Sequence, residues 1–425
     1  MSGKKPKQWF KLDNAATIFP GQNTSRWSNI FRFSVMLDRK IEPEMLEKAL
    51  KDTLVRFPCY DVRMKTGLFW HYFEKNPKGA PPVQPDIVNP CHRVKFNENN
   101  GYLFRIYYYE NRISGDFYHA LTDGMGAAVF VCTLAAQYLR LCGCDIPAGG
   151  FVLDINTPAS KSELDDPYRK VPKSKGKVSR DLDRVYHATG KRAPKHMVNI
   201  TRGIVDLAQV HTLAKSYGAT ITEFIGALLL FVHYEKQKEE KRRQKKVCVQ
   251  IPVSLRNFFG VNTLRNFSLY YLIHIDPLMG EYTFEEVLNH VILYLRDINN
   301  EKTLRAMVTA NLKLVRSPLM RLIPLFIKDF AIGLGFLLTG EQATSVLFSN
   351  LGKISLPEEM QAHVNLVELM SGPGKLNAAR CGGCGYKDKF IIDFANVYME
   401  SDIERRFFTK LVQMGVHVKI ESNRR

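Results

Sequence analysis

His119 and Asp123 stand four residues apart in the run from Asp116 to Gly126, an imidazole and a carboxylate followed at once by Gly124 and Gly126. An imidazole titrates close to neutrality and can take a proton from an attacking group. A β-rich run ends at His119, the glycines let the chain turn tightly, and a helical pattern begins near Asp123, where a carboxylate can cap the first turn. The spacing alone admits two readings, a base held at a rigid strand end or a core histidine beside a capping aspartate. Other chemistry-bearing groups are poorer in pattern. Cys381 and Cys384 form a single CxxC with no second pair or nearby histidine, and the remaining histidines show no metal-ligand spacing, so no metal is assigned. The basic run 236–246 reads either as a solvated helix end or as a patch for phosphates or an acidic partner. No zinc-finger, RRM, KH or homeodomain pattern accompanies it, which argues against nucleic acid.

Residues 118–124 resemble the HHxxxDG motif of the superfamily of chloramphenicol acetyltransferases, condensation domains, and polyketide-associated or alcohol O-acyltransferases. The catalytic second histidine of that motif falls on His119, and Tyr118 stands where the structural first histidine would be. Three further segments are similar in the same order. Residues 9–20, with Asp13, look like the opening of alcohol-acetyltransferase-like members. Residues 251–256 with 264–267, carrying Arg256 and Asn266, look like the PVxLR and NF elements. Residues 349–352, carrying Ser349 and Asn350, look like a strand-end SNxG element.

The resemblance implies an acyltransferase that moves an acyl group from acyl-CoA or an acyl carrier protein to a small alcohol or amine, with alcohol acetyltransferase-like members as the nearest likeness. His119 would be the general base, with Asp123 and Gly124 completing the motif. Asp123 would turn away from the substrate and pair with Arg256, while Arg256 and Tyr118 would give structural support. Ser349 or Asn350 would donate to the developing oxyanion, and Asn266 would lie on the substrate side. No cofactor is expected to be bound; coenzyme A or a phosphopantetheine thioester is the co-substrate. The alternative is a catalytically silent, condensation-like module that binds a carrier protein or partner enzyme, favoured by Tyr118 alone.

The elements that must position these groups can be read from periodicity. Strands are expected at 31–37, 60–64, 68–73, 103–109 and 113–119, with helices at 43–56 and 123–141. After a polar, lysine-rich stretch the pattern resumes with strands at 197–204, 247–252, 267–275, 345–349, 364–370, 378–385, 390–397 and 416–420. Helices fall between them at 206–217, 222–236, 284–298 and 403–414. The expected fold is α/β (α+β), two chloramphenicol-acetyltransferase-like lobes, each a mixed sheet with flanking helices, around an active-site channel. The ranges are 1–150 for the first lobe, 151–195 for a basic crossover linker and 196–425 for the second lobe.

A chain of 425 residues that is 45% hydrophobic and 24% charged excludes disorder and fibrous repeats. Its formal charge of +18 favours polyanionic neighbours. The apolar stretch 318–338 is broken by Arg321, Pro324, Lys328 and Asp329 and reads as a buried helix pair, with peripheral membrane contact left open. Few cysteines, and no apolar run after the basic N-terminal residues, lead to the expectation of a cytoplasmic monomer.

Overall fold

The computed structural model describes residues 9–23, 29–179, 181–194, 197–240, 243–317, 322–377 and 379–424. Five strands form the first-lobe sheet in the order Val364–Ser371, Ile30–Leu37, Arg112–Tyr118, Phe104–Tyr109, Val83–Pro85. Alternation along Ile30–Leu37 sends Phe31, Phe33, Val35 and Leu37 to one face and Arg32 and Ser34 to the other. The apolar face packs on helices Pro43–Arg56 and Gly124–Leu141; Phe130 meets Phe104 at 5.2 Å and Phe117 at 5.9 Å. Gly124–Leu141 is long and apolar enough to cross a membrane, yet it is mostly buried as the core helix of this lobe.

The second-lobe sheet has seven strands, ordered Ser268–Ile275, Val247–Ser254, Val346–Lys353, Ala379–Tyr386, Lys389–Asn396, Asn199–Asp206, Val418–Ser422. Helices Ile221–Glu239 and Phe284–Ile298 begin at capping boxes, Thr220 with Glu223 and Thr283 with Glu286, which satisfy first-turn N–H groups that would otherwise lack partners. Helix Asp402–Gln413 covers the sheet through Phe407 and Phe408, 5.3 and 5.6 Å from Phe394.

The lobes are interlocked, which corrects the boundary at 195/196. Strand Val364–Ser371, inside the range assigned to the second lobe, pairs antiparallel with Ile30–Leu37 and completes the first-lobe sheet. It crosses closely over strand Ala379–Tyr386, where a Cβ on Gly382 would fall 2.2 Å from the Leu369 carbonyl oxygen. That approach explains Gly382, while a Cβ on Gly383 would press on Phe390 and Phe348 at 3.0 and 3.2 Å; Cys381 and Cys384 on either side are buried, free thiols in a β-hairpin strand. Arg202 of the second-lobe sheet pairs with Asp393 at 2.9 Å and with Glu368 of the first-lobe sheet, so a buried ionic network joins the two polar sheet faces.

The basic crossover segment 151–195 packs against both lobes. Tyr168 is buried and donates from its hydroxyl to the Ser268 carbonyl at 2.7 Å, and Glu163 pairs with Arg56 at 2.7 Å. The expected strand over 68–73 is instead the turn and return of a hairpin, Val62–Thr66 with His71–Lys75, to which Trp9–Lys11 adds a third strand. The stretch 318–338, expected as a buried helix pair, holds helix Leu325–Thr339 among its described residues, and that helix presents large apolar side chains outward.

Gly382→Ala should destabilise the chain by about 1–3 kcal/mol, the usual effect of overpacking. Thermal unfolding checks this, and a melt unchanged from wild type would refute the close crossing.

Candidate active site

Strand Arg112–Tyr118 delivers His119 to the junction of the lobes, and its backbone N–H donates to the Asn29 carbonyl at 2.9 Å. The following helix starts at Gly124 with Asp123 as N-cap, the Asp123 carboxylate accepting from the Gly126 N–H at 3.1 Å. The same carboxylate takes two bonds from Arg256, at 2.8 and 2.9 Å, and one from the Phe267 N–H at 2.9 Å. Asp123 is buried, and burial alone would raise its pKa; Arg256 and the two N–H donors outweigh it and hold the carboxyl below its ordinary value. The charge therefore fastens the motif turn to the second lobe.

Both glycines of the turn are needed for close approach. A Cβ on Gly124 would sit 2.9 Å from Leu351 of the second lobe. One on Gly126 would meet Thr122 Oγ1 at 2.2 Å and the Leu264 carbonyl at 2.4 Å. The Thr122 hydroxyl donates to that carbonyl at 2.8 Å. Gly124 thus packs closely against Leu351.

The His119 ring lies between Phe19, stacked at 4.7 Å, and Phe31, edge-on at 5.1 Å. Its Nδ1 is 3.1 Å from Asn266 Oδ1, and Asn266 Nδ2 donates to Asp13 Oδ2 at 3.3 Å. Asp13 can only accept when ionised, which orients the amide with its oxygen toward the imidazole. An amide oxygen also only accepts, so the proton sits on Nδ1 and Nε2 keeps its lone pair. Nε2 has no partner among the described residues. Burial lowers the His119 pKa from its ordinary value, partly offset by the charge of Asp123, so the ring is neutral at pH 7.

Asn266 is buried, its amide oxygen against His119 and its nitrogen donating to Asp13. Asp13 Oδ1 accepts from the Ala16 N–H at 2.8 Å, and the Arg265 guanidinium is 3.6 Å from Oδ2. Burial nevertheless raises the Asp13 carboxyl to about 6, with Arg265 as the main counterweight. The only sequence signal for Asp13 was its place in the family-like opening segment. A cavity of about 780 Å³ has Leu12 and Asn14, on either side of Asp13, in its wall, together with Trp9, Lys11, Trp70 and Tyr72.

Asn350 is also committed elsewhere. Its Nδ2 donates to Thr222 Oγ1 at 3.0 Å and its Oδ1 accepts from the Gly352 N–H at 2.9 Å, so the amide is held by internal bonds on the strand face of helix Ile221–Glu239. Ser349 points to the opposite strand face and has no hydroxyl partner among the described residues. In the parallel pairing, Leu347 aligns with Arg380 and Ser349 with Gly382, so Ser349 and Arg380 share one face. Arg380 lies near enough to His119 to disfavour its protonation, a neighbour the sequence did not point to. Tyr118 is fully buried against Phe96 at 5.7 Å, on the strand face opposite His119. In the basic run, Lys236 pairs with Asp402 at 2.7 Å, Lys238 with Glu281 at 2.7 Å and Lys246 with Asp181 at 2.7 Å. Lys241 and Arg242 lie outside the described residues.

This is the two-lobed chloramphenicol-acetyltransferase-like fold shared by acyltransferases and condensation domains. TRI101 of F. sporotrichioides, solved with coenzyme A and T-2, matches with TM-score 0.61 and 13% identity over 97% of this chain and 99% of that one. Polyketide synthase associated protein 5 of Mycobacterium tuberculosis matches with TM-score 0.57 and 14% identity over 94% and 96%. The condensation domain of the Monacolin K polyketide synthase MokA matches with TM-score 0.55 and 13% identity over 96% of each chain. No protein-family model matches the chain, and no curated protein matches it by sequence.

Asp123→Ala should cost about 3–5 kcal/mol, because it leaves the half-buried Arg256 without its carboxylate partner. The loss should shrink when Arg256 is replaced as well, as a double-mutant cycle on thermal or urea unfolding would register. Equal, additive losses would rule out the cross-lobe pair as a coupled unit.

Proposed function

We propose that this chain is an acyltransferase that moves an acyl group from a thioester, acyl-CoA or an acyl carrier protein, to a hydroxyl or amine, with His119 as general base. The observation that carries the reading is the His119–Asn266–Asp13 series, which fixes one imidazole tautomer and leaves Nε2 unpartnered. An alcohol is too weak an acid to attack a thioester at neutral pH unaided, and a neutral imidazole can remove its proton as the C–O bond forms. The thioester carbonyl becomes a tetrahedral oxyanion, toward which the Ser349 hydroxyl is the free donor on the strand face it shares with Arg380. Collapse breaks the C–S bond, and the proton held on Nε2 passes to the departing thiolate. Ester or amide and free thiol are the products, with no covalent enzyme intermediate. Asp123 and Arg256 position the turn, Asn266 and Asp13 position the imidazole, and Phe19 and Phe31 hold the ring flat and shield it from water.

Thioester carbonyl chemistry of this kind uses the carbonyl, base and oxyanion donor alone, and the residues assembled here supply the last two. The superfamily fold and the coenzyme A in the TRI101 structure support the choice of donor class. In the basic run Lys236, Lys238 and Lys246 are paired with carboxylates, while Arg243 and Lys245 are exposed. A small alcohol or amine acceptor is the accompanying proposal, as is a cytoplasmic setting.

The direct test is thiol release by purified protein from short and long acyl-CoAs in the presence of pooled alcohols and amines. His119→Ala should lower kcat/KM by about 10²–10⁴ without altering the fold. Turnover at the wild-type rate in that variant would end the mechanism. Ser349→Ala should lower kcat by about 10²–10³ with KM little changed, as expected for a donor felt in the transition state. Asn350→Ala should leave kcat within a few-fold of wild type.

The pH dependence has a definite sign. The His119 pKa in the folded chain lies below the ordinary histidine value. The acid limb of kcat/KM, where the base is protonated, should therefore have its midpoint below about 6.5. An acid limb centred above pH 7 would contradict the desolvated, neutral ring.

A further inference from the structure

Helix Leu325–Thr339 is amphipathic the wrong way round for a helix lying on a water-soluble body. Its inner face carries the charges. Lys328 donates to the Phe69 carbonyl at 2.8 Å and lies 3.5 Å from the centre of the Trp70 ring, and Asp329 pairs with His71 at 2.8 Å. Backbone-to-backbone packing completes that face, since a Cβ on Gly21 would meet the Asp329 carbonyl at 2.5 Å and one on Gly333 the Gly21 carbonyl at 2.6 Å. The outer face holds Phe326, Ile327, Phe330 and Leu334 at helical spacing, continued by Leu322 and by Leu68 and Phe69 of the hairpin turn. Leu68, Leu322, Phe326 and Phe330 are each 72–75% exposed. The Leu325 N–H donates to the Leu68 carbonyl at 2.9 Å, so turn and helix form one continuous surface.

A contiguous apolar patch of this kind on a folded chain marks a contact surface. We propose that it docks on an anionic lipid surface, with the aromatic and aliphatic side chains entering the boundary between headgroups and acyl chains. Charge selects this occupant. The chain carries +18, which attracts it to an acidic membrane and opposes burial of the same patch against a second copy of itself. Trp9 and Lys11 stand on the same three-stranded sheet as the hairpin, both exposed, a pairing of residue types suited to the headgroup level. One amphipathic surface combined with attraction between opposite charges is the two-signal arrangement that reversible interfacial binding requires. Trp70 also lines the 780 Å³ cavity, so the docked patch would set that cavity next to the lipid.

The docking stands apart from the transferase reading, and its test uses no turnover. Wild-type protein should co-sediment with vesicles in which about a third of the lipid is phosphatidylglycerol. It should bind phosphatidylcholine vesicles weakly, and release should follow in about 1 M salt, where the Debye length shrinks to about 3 Å. Phe326→Gln with Phe330→Gln should lower the partition coefficient at least tenfold while the thermal melt stays unchanged. Leu278→Gln, an exposed apolar position elsewhere, should bind as wild type does. Tryptophan fluorescence of the unaltered protein should be quenched by lipids brominated on their acyl chains, a readout that no substitution can confound. Absence of quenching, wild-type binding by the double variant, or equal loss in Leu278→Gln would overturn the proposal. So would sedimentation velocity showing a wild-type dimer that the double variant dissolves, since the patch would then belong to a second copy.

Discussion

A buried carboxylate must find partners, and Asp123 finds them on both sides of the lobe junction. It caps its own helix through Gly126, and it takes the Arg256 fork and the Phe267 N–H from the second lobe. A lone charge in that position would be prohibitively costly, so the three contacts hold together or not at all. Because Phe267 is fastened to Asp123, the preceding residue Asn266 is fixed too, and its amide oxygen is set against His119. The strand that delivers His119 and the loop that orients it are thereby referred to one point.

From that point the electrostatics of the site follow. A neutral amide as the neighbour of His119 Nδ1 fixes the tautomer without adding a full negative charge. An imidazole paired directly with a carboxylate would be pushed toward its protonated form, whereas here burial dominates and the ring stays neutral. The carboxylate of the series, Asp13, lies one step back, and burial raises its own pKa to about 6. Phe19, supplied by the segment that helix Leu325–Thr339 clasps, closes one face of the ring. The N-terminal segment thus contributes both the last member of the series and part of the dry wall.

Much of this was legible from residue pattern. Alternating and 3.6-residue periodicities located helices Pro43–Arg56 and Phe284–Ile298 to the residue, and most other elements to within two or three. Capping boxes and glycines are local signals, and each falls where the chain turns. The short strands Trp9–Lys11 and Val83–Pro85 escaped notice because three residues carry no period. The hairpin turn at Leu68–Trp70 was read as strand because its apolar, aromatic composition imitates one; those side chains are exposed.

What the sequence by itself determined is the set of elements, the two-sheet class and the motif that puts an imidazole at a strand end beside a helix cap, because these depend on neighbours within a few residues. What only the tertiary structure decided is which polar side chains are spent on one another. Asn266 and Asn350 look alike as candidates in the chain, yet Asn266 bonds to His119 and Asp13 and Asn350 to Thr222 and Gly352, while Ser349, one residue from Asn350, lies on the other strand face with no hydroxyl partner among the described residues. The crossing of Val364–Ser371 into the first sheet, and the outward face of Leu325–Thr339, are likewise products of long-range packing. Burial and hydrogen-bond partnership are properties of position in space, and residues 147 or 253 places apart in the chain meet only when the fold is complete.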